Sequence, residues 1–229
     1  MQLKLETITH EEKFMGEKLE SNKFLVFFGS RHTTWEVLPK LFPNLKFARL
    51  KQTHGNTVVQ SPSDMLLEGD GHWTEKRNVA LTIVTADCLP VMILDQHRIG
   101  AVHAGWRGIE NQVLLKTLHS GFSKNLEIFI GPHIQKSSFE VGIDVSKKLI
   151  ASTKNLSFFD LKKCVFPHTD PQKRYIDLSY IACAQLKSFG IDEKNIYLSG
   201  HDTFTNNDFS SYRRKESPTG RQVSFIAYY

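Results

Sequence analysis

Three short segments carry side chains suited to chemistry. They are Gln52-Thr53-His54-Gly55, Thr85-Ala86-Asp87-Cys88-Leu89-Pro90 and Ala101-Val102-His103-Ala104-Gly105-Trp106-Arg107-Gly108. Each places one soft or borderline donor, His54, Cys88 or His103, at the end of a run that reads as a strand. Two imidazoles and a thiolate make a zinc set, because zinc takes nitrogen and sulfur ligands tetrahedrally and three protein ligands leave a fourth position for water or substrate. A bound metal also keeps the thiol ionised at neutral pH. Spacing alone does not select this use, since the three lie 34 and 15 positions apart. The same atoms admit a nucleophilic use, with Cys88 attacking, His103 as base and Asp87 orienting the imidazole or accepting a proton. They also admit a buried structural thiol with two unrelated histidines. Asp87 by itself reads equally well as a turn residue bonding its own backbone.

A second chemistry sits beside the third segment. Gly105-Trp106-Arg107-Gly108 leads into a helix, and free N–H groups at a helix start together with a guanidinium favour an anion. Arg107 is therefore a candidate ligand for phosphate or carboxylate, against a surface arginine bonding carbonyls. Arg31 and the pair Arg213-Arg214 are weaker candidates of the same kind. Trp106, Phe209 and Tyr212 each offer a face to a planar ligand or fill the core. Other histidines, such as His10 and His119, read as surface residues.

These segments need a frame. Phe24–Phe28 and Val79–Thr85 read as buried strands, the second central and rich in β-branched residues. Phe47–Leu50 and Thr57–Gln60 read as strands flanking a turn at Gly55-Asn56, and Val91–Leu94 with Ile99–His103 as a hairpin around Asp95-Gln96. The spacing predicts a helix over Ile109–Leu118 with Ile109, Val113, Leu114, Thr117 and Leu118 on one face. Leu126–Ile130, Ile196–Leu198 and Val223–Tyr228 complete the strands. Asp144 and Asp177 are positioned to cap two further helices, the second carrying Leu178, Ile181, Ala182, Leu186 and Phe189 on one face. Several strand connections are too short for a crossover helix, which points to an α/β (α+β) chain with mixed, largely antiparallel sheets.

Composition bounds the rest. With 40% hydrophobic and 23% charged residues in 229, the chain has enough apolar surface to offset its conformational entropy. One domain over residues 1–229 is expected. No apolar run reaches the length of a membrane span, and the polar first residues carry no signal-peptide core, so a cytoplasmic protein without membrane partners is expected. The net charge of +5 comes from scattered residues rather than a basic block, so no nucleic-acid partner is expected. Three cysteines, Cys88, Cys164 and Cys183, without Cys-x-x-Cys spacing argue against a disulfide framework or a zinc ribbon.

Taken together, the segments resemble a family first named for laccase-like multicopper polyphenol oxidation, whose members are associated with purine nucleoside phosphorylase activity and some with adenosine deamination. The resemblance rests on QTHG at 52–55, TADCLPV at 85–91 and HAGWRG at 103–108. GPHI with FEVG (131–134, 139–142) and SYRR with TGR (211–214, 219–221) extend it in order along nearly the whole chain. It implies a single α-β-β-α sandwich and a zinc, or alternatively a copper, held by His54, Cys88 and His103. It implies a pocket for a purine nucleoside and inorganic phosphate, with Arg31, Gln52 and Arg107 binding substrate or phosphate, Asp87 nearby, and Cys88, His103, Asp87 and Arg107 as the catalytic group. A monomer or weak dimer is expected. The alternatives are a copper phenol oxidase, a Cys88/His103 hydrolase acting on a cell-wall precursor, and a metal- or partner-binding module without turnover. Two features depart from the family pattern. Only twenty residues separate Arg31 from Gln52, and Asp202-Thr203 and Phe209-Ser210-Ser211-Tyr212 stand where Cys-Thr and Phe-Phe-Ser-Tyr are usual.

Overall fold

The computed structural model describes residues 5–61, 66–156, 159–215 and 220–229; Thr219, the first residue of the TGR segment, lies outside them. The chain opens with β1 (Glu6–His10), β2 (Lys13–Glu20) and β3 (Phe24–Gly29), a one-turn helix α1 (Leu38–Leu41), and the short strands β4 (Lys46–Ala48), β5 (Leu50–Lys51), β6 (Val58–Gln60) and β7 (Leu67–Glu68). β8 (Gly71–Thr74), β9 (Val79–Thr85), β10 (Leu89–Leu94) and β11 (Ile99–Ala104) follow, then helices α2 (Trp106–Glu110) and α3 (Val113–Leu118). The last part holds β12 (Glu127–Ile130), β13 (Glu140–Gly142), α4 (Ile143–Ser152), β14 (Val165–Pro167), β15 (Lys173–Ile176), α5 (Leu178–Phe189), β16 (Ile196–Leu198) and β17 (Gln222–Tyr228).

Two six-stranded sheets form the body, in the orders β1-β2-β3-β17-β9-β4 and β16-β12-β10-β11-β8-β6. Their pairs are antiparallel except β4 with β9, β12 with β16 and β6 with β8. This is the mixed, largely antiparallel α/β architecture expected. Successive residues of a strand face opposite ways, so the uninterrupted run of β3 serves two cores. Val26 and Phe28 join Leu81, Ile83, Met92, Ala101 and Phe129 between the sheets. Leu25 and Phe27 join Phe225, Leu38 and Phe42 on the outer side of the first sheet. On the far side of the second sheet, Val91, Ile93 and Val102 pack against Ile109, Leu114, Ile181 and Leu186 of the helices. The layers run α-β-β-α, with the first α layer reduced to α1 and its flanking loops. At roughly 1.5–3 kcal/mol for each large side chain removed from water, these three apolar layers are the main stabilising element.

Three local expectations change. Phe47–Leu50 and Thr57–Gln60 are not partners: β4 pairs with β9 in one sheet and β6 with β8 in the other, so the intervening loop crosses between sheets. The helix expected over Ile109–Leu118 is two helices, because Gln112 takes a left-handed φ of 58°. The five apolar-face residues are all buried nonetheless, since the break re-aims the chain without turning that face away. Asp144 does not cap α4: Gly142 does, with Asp144 in the first turn, where its charge still suits the helix dipole. Asp177 caps α5 as expected, accepting the Tyr180 N–H at 2.9 Å. Among the described residues no helix is long and apolar enough to cross a membrane.

Candidate metal centre

Strand pairing, antiparallel around β11 and parallel between β6 and β8, gathers the three segments. β11 ends beside the start of β10, with Ala104 opposite Leu89, and beside the start of β8, with Val102 opposite Gly71. β6 starts level with β8, and β9 hands over to β10 through residues 86–88 alone. The loops bearing His54, Cys88 and His103 therefore meet at one edge of the sandwich. One ligand atom from each lies within 4.8 Å of the others. Zinc bonds of about 2.0–2.3 Å place tetrahedral ligands about 3.5 Å apart, which small side-chain shifts reach from this spacing. The two imidazoles stand nearly perpendicular, with ring centroids 4.7 Å apart and planes at 84°. Among the described residues no other group of three or more His, Cys, Asp or Glu donors is close enough to hold an ion.

Glycine permits the close approach. A Cβ on Gly105 would lie 3.0 Å from Cys88 Sγ and 3.6 Å from His54 Cδ2. One on Gly108 would lie 3.2 Å from the Gly55 carbonyl, so α2 is seated directly on the His54 loop. From behind, the buried Gln185 of α5 donates to the Ile109 carbonyl at 2.7 Å and fixes that helix.

The sequence reading missed Asp70. It is fully buried, and its carboxylate accepts from the His103 ring at Nδ1 (2.7 Å) and from the N–H groups of His54 (2.9 Å) and Gly55 (2.7 Å). In Gly69-Asp70-Gly71 it looks like any turn aspartate. The only signal available was general: a ligating histidine needs an acceptor for its second nitrogen.

Charge in the ion-free site follows the contacts. Burial opposes ionisation of Cys88, but the His103 charge and hydrogen bonds from His103 and His54 outweigh it and pull the thiol down. Burial likewise opposes His103⁺, yet the Cys88 thiolate and Asp70 hold its pKa up. Burial would raise the Asp70 carboxyl, and hydrogen bonds from His103 and Gly55 instead hold it far below the usual range. The two groups favour each other's charged forms, and a metal that takes both atoms displaces a proton.

The remaining candidates divide. Gln52 is bonded to backbone: its amide donates to the Val84 carbonyl and accepts from the Val84 N–H, each at 2.8 Å, continuing the ladder of β9 where β4 has left it. Asp87, at a left-handed φ of 82°, accepts from the Thr203 hydroxyl (2.7 Å) and the Arg213 N–H (2.8 Å). Arg107 is exposed, with its guanidinium 4.4 Å from the Trp106 ring centroid. Arg31 is exposed and reaches the Asn207 carbonyl at 3.1 Å. Arg213 donates to the Glu140 carbonyl at 2.7 Å. Arg214 clamps the carbonyls of Thr203, Phe204 and Phe209. Phe209 is core, edge-on to Phe14 at 6.0 Å, and Tyr212 is 74% exposed.

A family model described as multi-copper polyphenol oxidoreductase laccase matches residues 37–229. The chain is 35% identical over 182 residues to a purine nucleoside phosphorylase of Pseudomonas aeruginosa, covering 77% of this chain and 72% of that one. It is 36% identical over 184 residues to a purine nucleoside phosphorylase of Haemophilus influenzae, with the same coverage of 77% and 72%. Among solved structures, a Neisseria meningitidis protein superposes with a TM-score of 0.80 at 25% identity, covering 98% of both chains. YlmD from Geobacillus stearothermophilus shares the fold with a TM-score of 0.78 at 21% identity, covering 96% of this chain and 98% of that one.

Proposed function

The chain belongs to the family described as multi-copper polyphenol oxidoreductase laccase, and from that premise we propose that it is a zinc-containing purine nucleoside phosphorylase. The observation that carries the reading is the single His54–Cys88–His103 set, with an exposed arginine on the helix seated against it. Multicopper phenol oxidation needs several coppers held by many histidines, and the described residues offer one three-donor set. The names of the curated relatives support the same choice.

In this reading His54, Cys88 and His103 hold the ion. Zinc held there would supply Lewis-acid polarisation. Arg107 and Arg31 hold inorganic phosphate. α2 has only five residues, so the guanidiniums rather than the helix end carry the attraction. Phosphate adds to the anomeric carbon as the bond to the purine breaks, giving free base and ribose 1-phosphate. The sugar passes through an oxocarbenium-like state, and an anion held at its face lowers the barrier. Fixing the two reactants in line supplies much of the rest. Gln52 and Asp87 act on the frame, holding the ends of strands and loops from which the ligands project.

The test is metal quantification on protein purified without added metal, followed by adenosine, inosine and guanosine assayed with and without phosphate. Stoichiometric zinc and phosphate-dependent base release, both lost in His103→Ala, are expected. No base release above blank with phosphate present refutes the reading. Inosine formed from adenosine without phosphate identifies deamination as a second activity of the same pocket. Copper with oxygen uptake on phenols favours the oxidase.

A further inference from the structure

We propose that Asp70 is the positioning residue that assembles the metal set, one buried carboxylate fixing both histidine ligands at once. The inference rests on the reading that His54, Cys88 and His103 hold a metal, and extends it to a residue that touches none of the ion's coordination positions.

Five donors converge on this carboxylate. Oδ1 accepts from the His54 N–H at 2.9 Å and from His103 Nδ1 at 2.7 Å. Oδ2 accepts from the Thr53 N–H at 3.2 Å, the Thr53 hydroxyl at 3.0 Å and the Gly55 N–H at 2.7 Å. Three successive backbone N–H groups, 53 to 55, thus wrap one anion, the concave arrangement that binds anions elsewhere. Here the anion is internal. It holds His54 at a φ of 60°, a left-handed conformation that residues other than glycine adopt rarely. The loop can present the His54 ring because its backbone is tied down.

The second ligand is fixed through the ring. A hydrogen bond at Nδ1 sets the tautomer and leaves Nε2 of His103 as the atom free to ligate. Asp70 also accepts the His103 N–H through its own carbonyl at 2.7 Å, so the two residues stay in register as the strands pair. Ligands from positions 54 and 103, far apart in the chain, share a single oxygen. With both oxygens occupied and no surface exposed, Asp70 shapes the site without entering it.

Asp70→Asn tests this, because an amide cannot satisfy five donors. If its oxygen faces His54 and His103, its NH₂ opposes the Thr53 and Gly55 N–H groups. If it is flipped, the NH₂ faces Nδ1 and drives His103 to the tautomer whose Nε2 carries the proton. Zinc affinity is measured by chelator competition on metal-stripped protein, per mole of folded chain, and the His103 tautomer by nitrogen-15 NMR of the zinc-loaded wild type. Binding 10–100-fold weaker than wild type is expected for Asp70→Asn, the range typical of lost partners of ligating side chains. The wild type is expected to ligate through Nε2 with a proton on Nδ1. A folded Asp70→Asn that binds zinc within twofold of wild type overturns the proposal. So does a zinc-loaded wild type ligated through His103 Nδ1, a result that needs no variant to fold. No nucleoside enters either measurement, so a failed phosphorolysis assay leaves this inference standing, whereas a wild type that takes up no zinc sinks both.

Discussion

Asp87 separates two roles that one substitution series can tell apart. Its carboxylate accepts from the Thr203 hydroxyl at 2.7 Å and the Arg213 N–H at 2.8 Å, while its backbone sits at a φ of 82°. Hydrogen bonds to a charged group contribute about 1.5–3 kcal/mol each, so Asp87→Ala forfeits about 3–6 kcal/mol. Alanine also fits the left-handed region poorly, at a further cost of about 1–2 kcal/mol. Asp87→Gly removes the same bonds without that strain, and melts about 2–4 °C above Asp87→Ala for each kcal/mol recovered in a chain of this size. Asparagine tolerates the backbone conformation. In Asp87→Asn the Thr203 hydroxyl can reverse and accept from the amide while the amide oxygen keeps the Arg213 N–H. Both contacts then survive as neutral bonds, at a loss of about 2–3 kcal/mol or about 4–12 °C. The assay is calorimetric melting paired with phosphate-dependent base release well below the melting temperature. A latch predicts a lowered melting temperature and a kcat for Asp87→Asn within tenfold of wild type. A residue handling a proton predicts a loss of about 10²–10⁴ in kcat, and that result refutes the latch. A melting temperature unchanged in Asp87→Asn refutes the bonding argument itself.

Two further outcomes follow from the same geometry. Gly105→Ala places a methyl 3.0 Å from Cys88 Sγ on backbone of ordinary extended conformation. The metal-stripped variant is expected to melt lower than wild type, since the methyl crowds Cys88 and alanine caps α2 less well than glycine, and to bind zinc less tightly by chelator competition; equal zinc affinity contradicts the crowding. Alkylation by iodoacetamide orders the thiols. Burial and the Asp177 charge push Cys183 up to about 11, and burial pushes Cys164 up to about 12. A raised thiol pKa delays the reactive thiolate, so labelling of Cys183 climbs as pH rises toward 11, whereas Cys88 in metal-stripped protein reacts first near neutrality and is protected by zinc. Peptide mapping that finds Cys183 modified before Cys88 at pH 7 contradicts this order.

What the sequence disclosed, and what it hid, has a physical pattern. β3 and β9 are apolar at nearly every position because both their faces are covered, and such runs are readable without a structure. His54, Cys88 and His103 stood out because each ended a strand-like run; antiparallel pairing of β11 with β10 and β8 and parallel pairing of β6 with β8 bring those ends to one edge. The helix over 109–118 was legible as a face and not as a continuous rod, since burial periodicity survives a single left-handed residue at Gln112. Asp70 was hidden because its significance is wholly tertiary. Nothing in Gly69-Asp70-Gly71 shows that its partners lie at 53–55 and 103. Gln52 was visible as polar beside a histidine, but a side chain that completes a backbone ladder looks no different in sequence from one that meets a ligand.

The departures from the family pattern fall in the short connection between Arg31 and Gln52 and in the loop from 202 to 214, and the structure shows how this chain accommodates them. Asp202 accepts the Ser138 hydroxyl at 2.5 Å and the N–H groups of Phe204 (3.0 Å) and Gln135 (3.3 Å), work that a thiol at this position would do weakly. Thr203 beside it reaches Asp87, and Arg214 gathers the carbonyls of Thr203, Phe204 and Phe209 from below. The loop from 202 to 214 is thereby tied to residues 135 and 138 through Asp202 and to Asp87 through the Thr203 hydroxyl and the Arg213 N–H, while Arg214 braces it internally. Arg31 is fastened to it in turn, through its N–H to the Asp208 carbonyl (2.8 Å) and its side chain to Asn207. The short connection between Arg31 and Gln52 thins the outer layer to α1 without unmooring Arg31, because its position is set by the far end of the chain rather than by the residues that follow it. Asp87 and Arg31 are bonded to the same loop, so Asp87→Asn is expected to alter the phosphate KM as well as the melting temperature; an unchanged phosphate KM refutes that coupling.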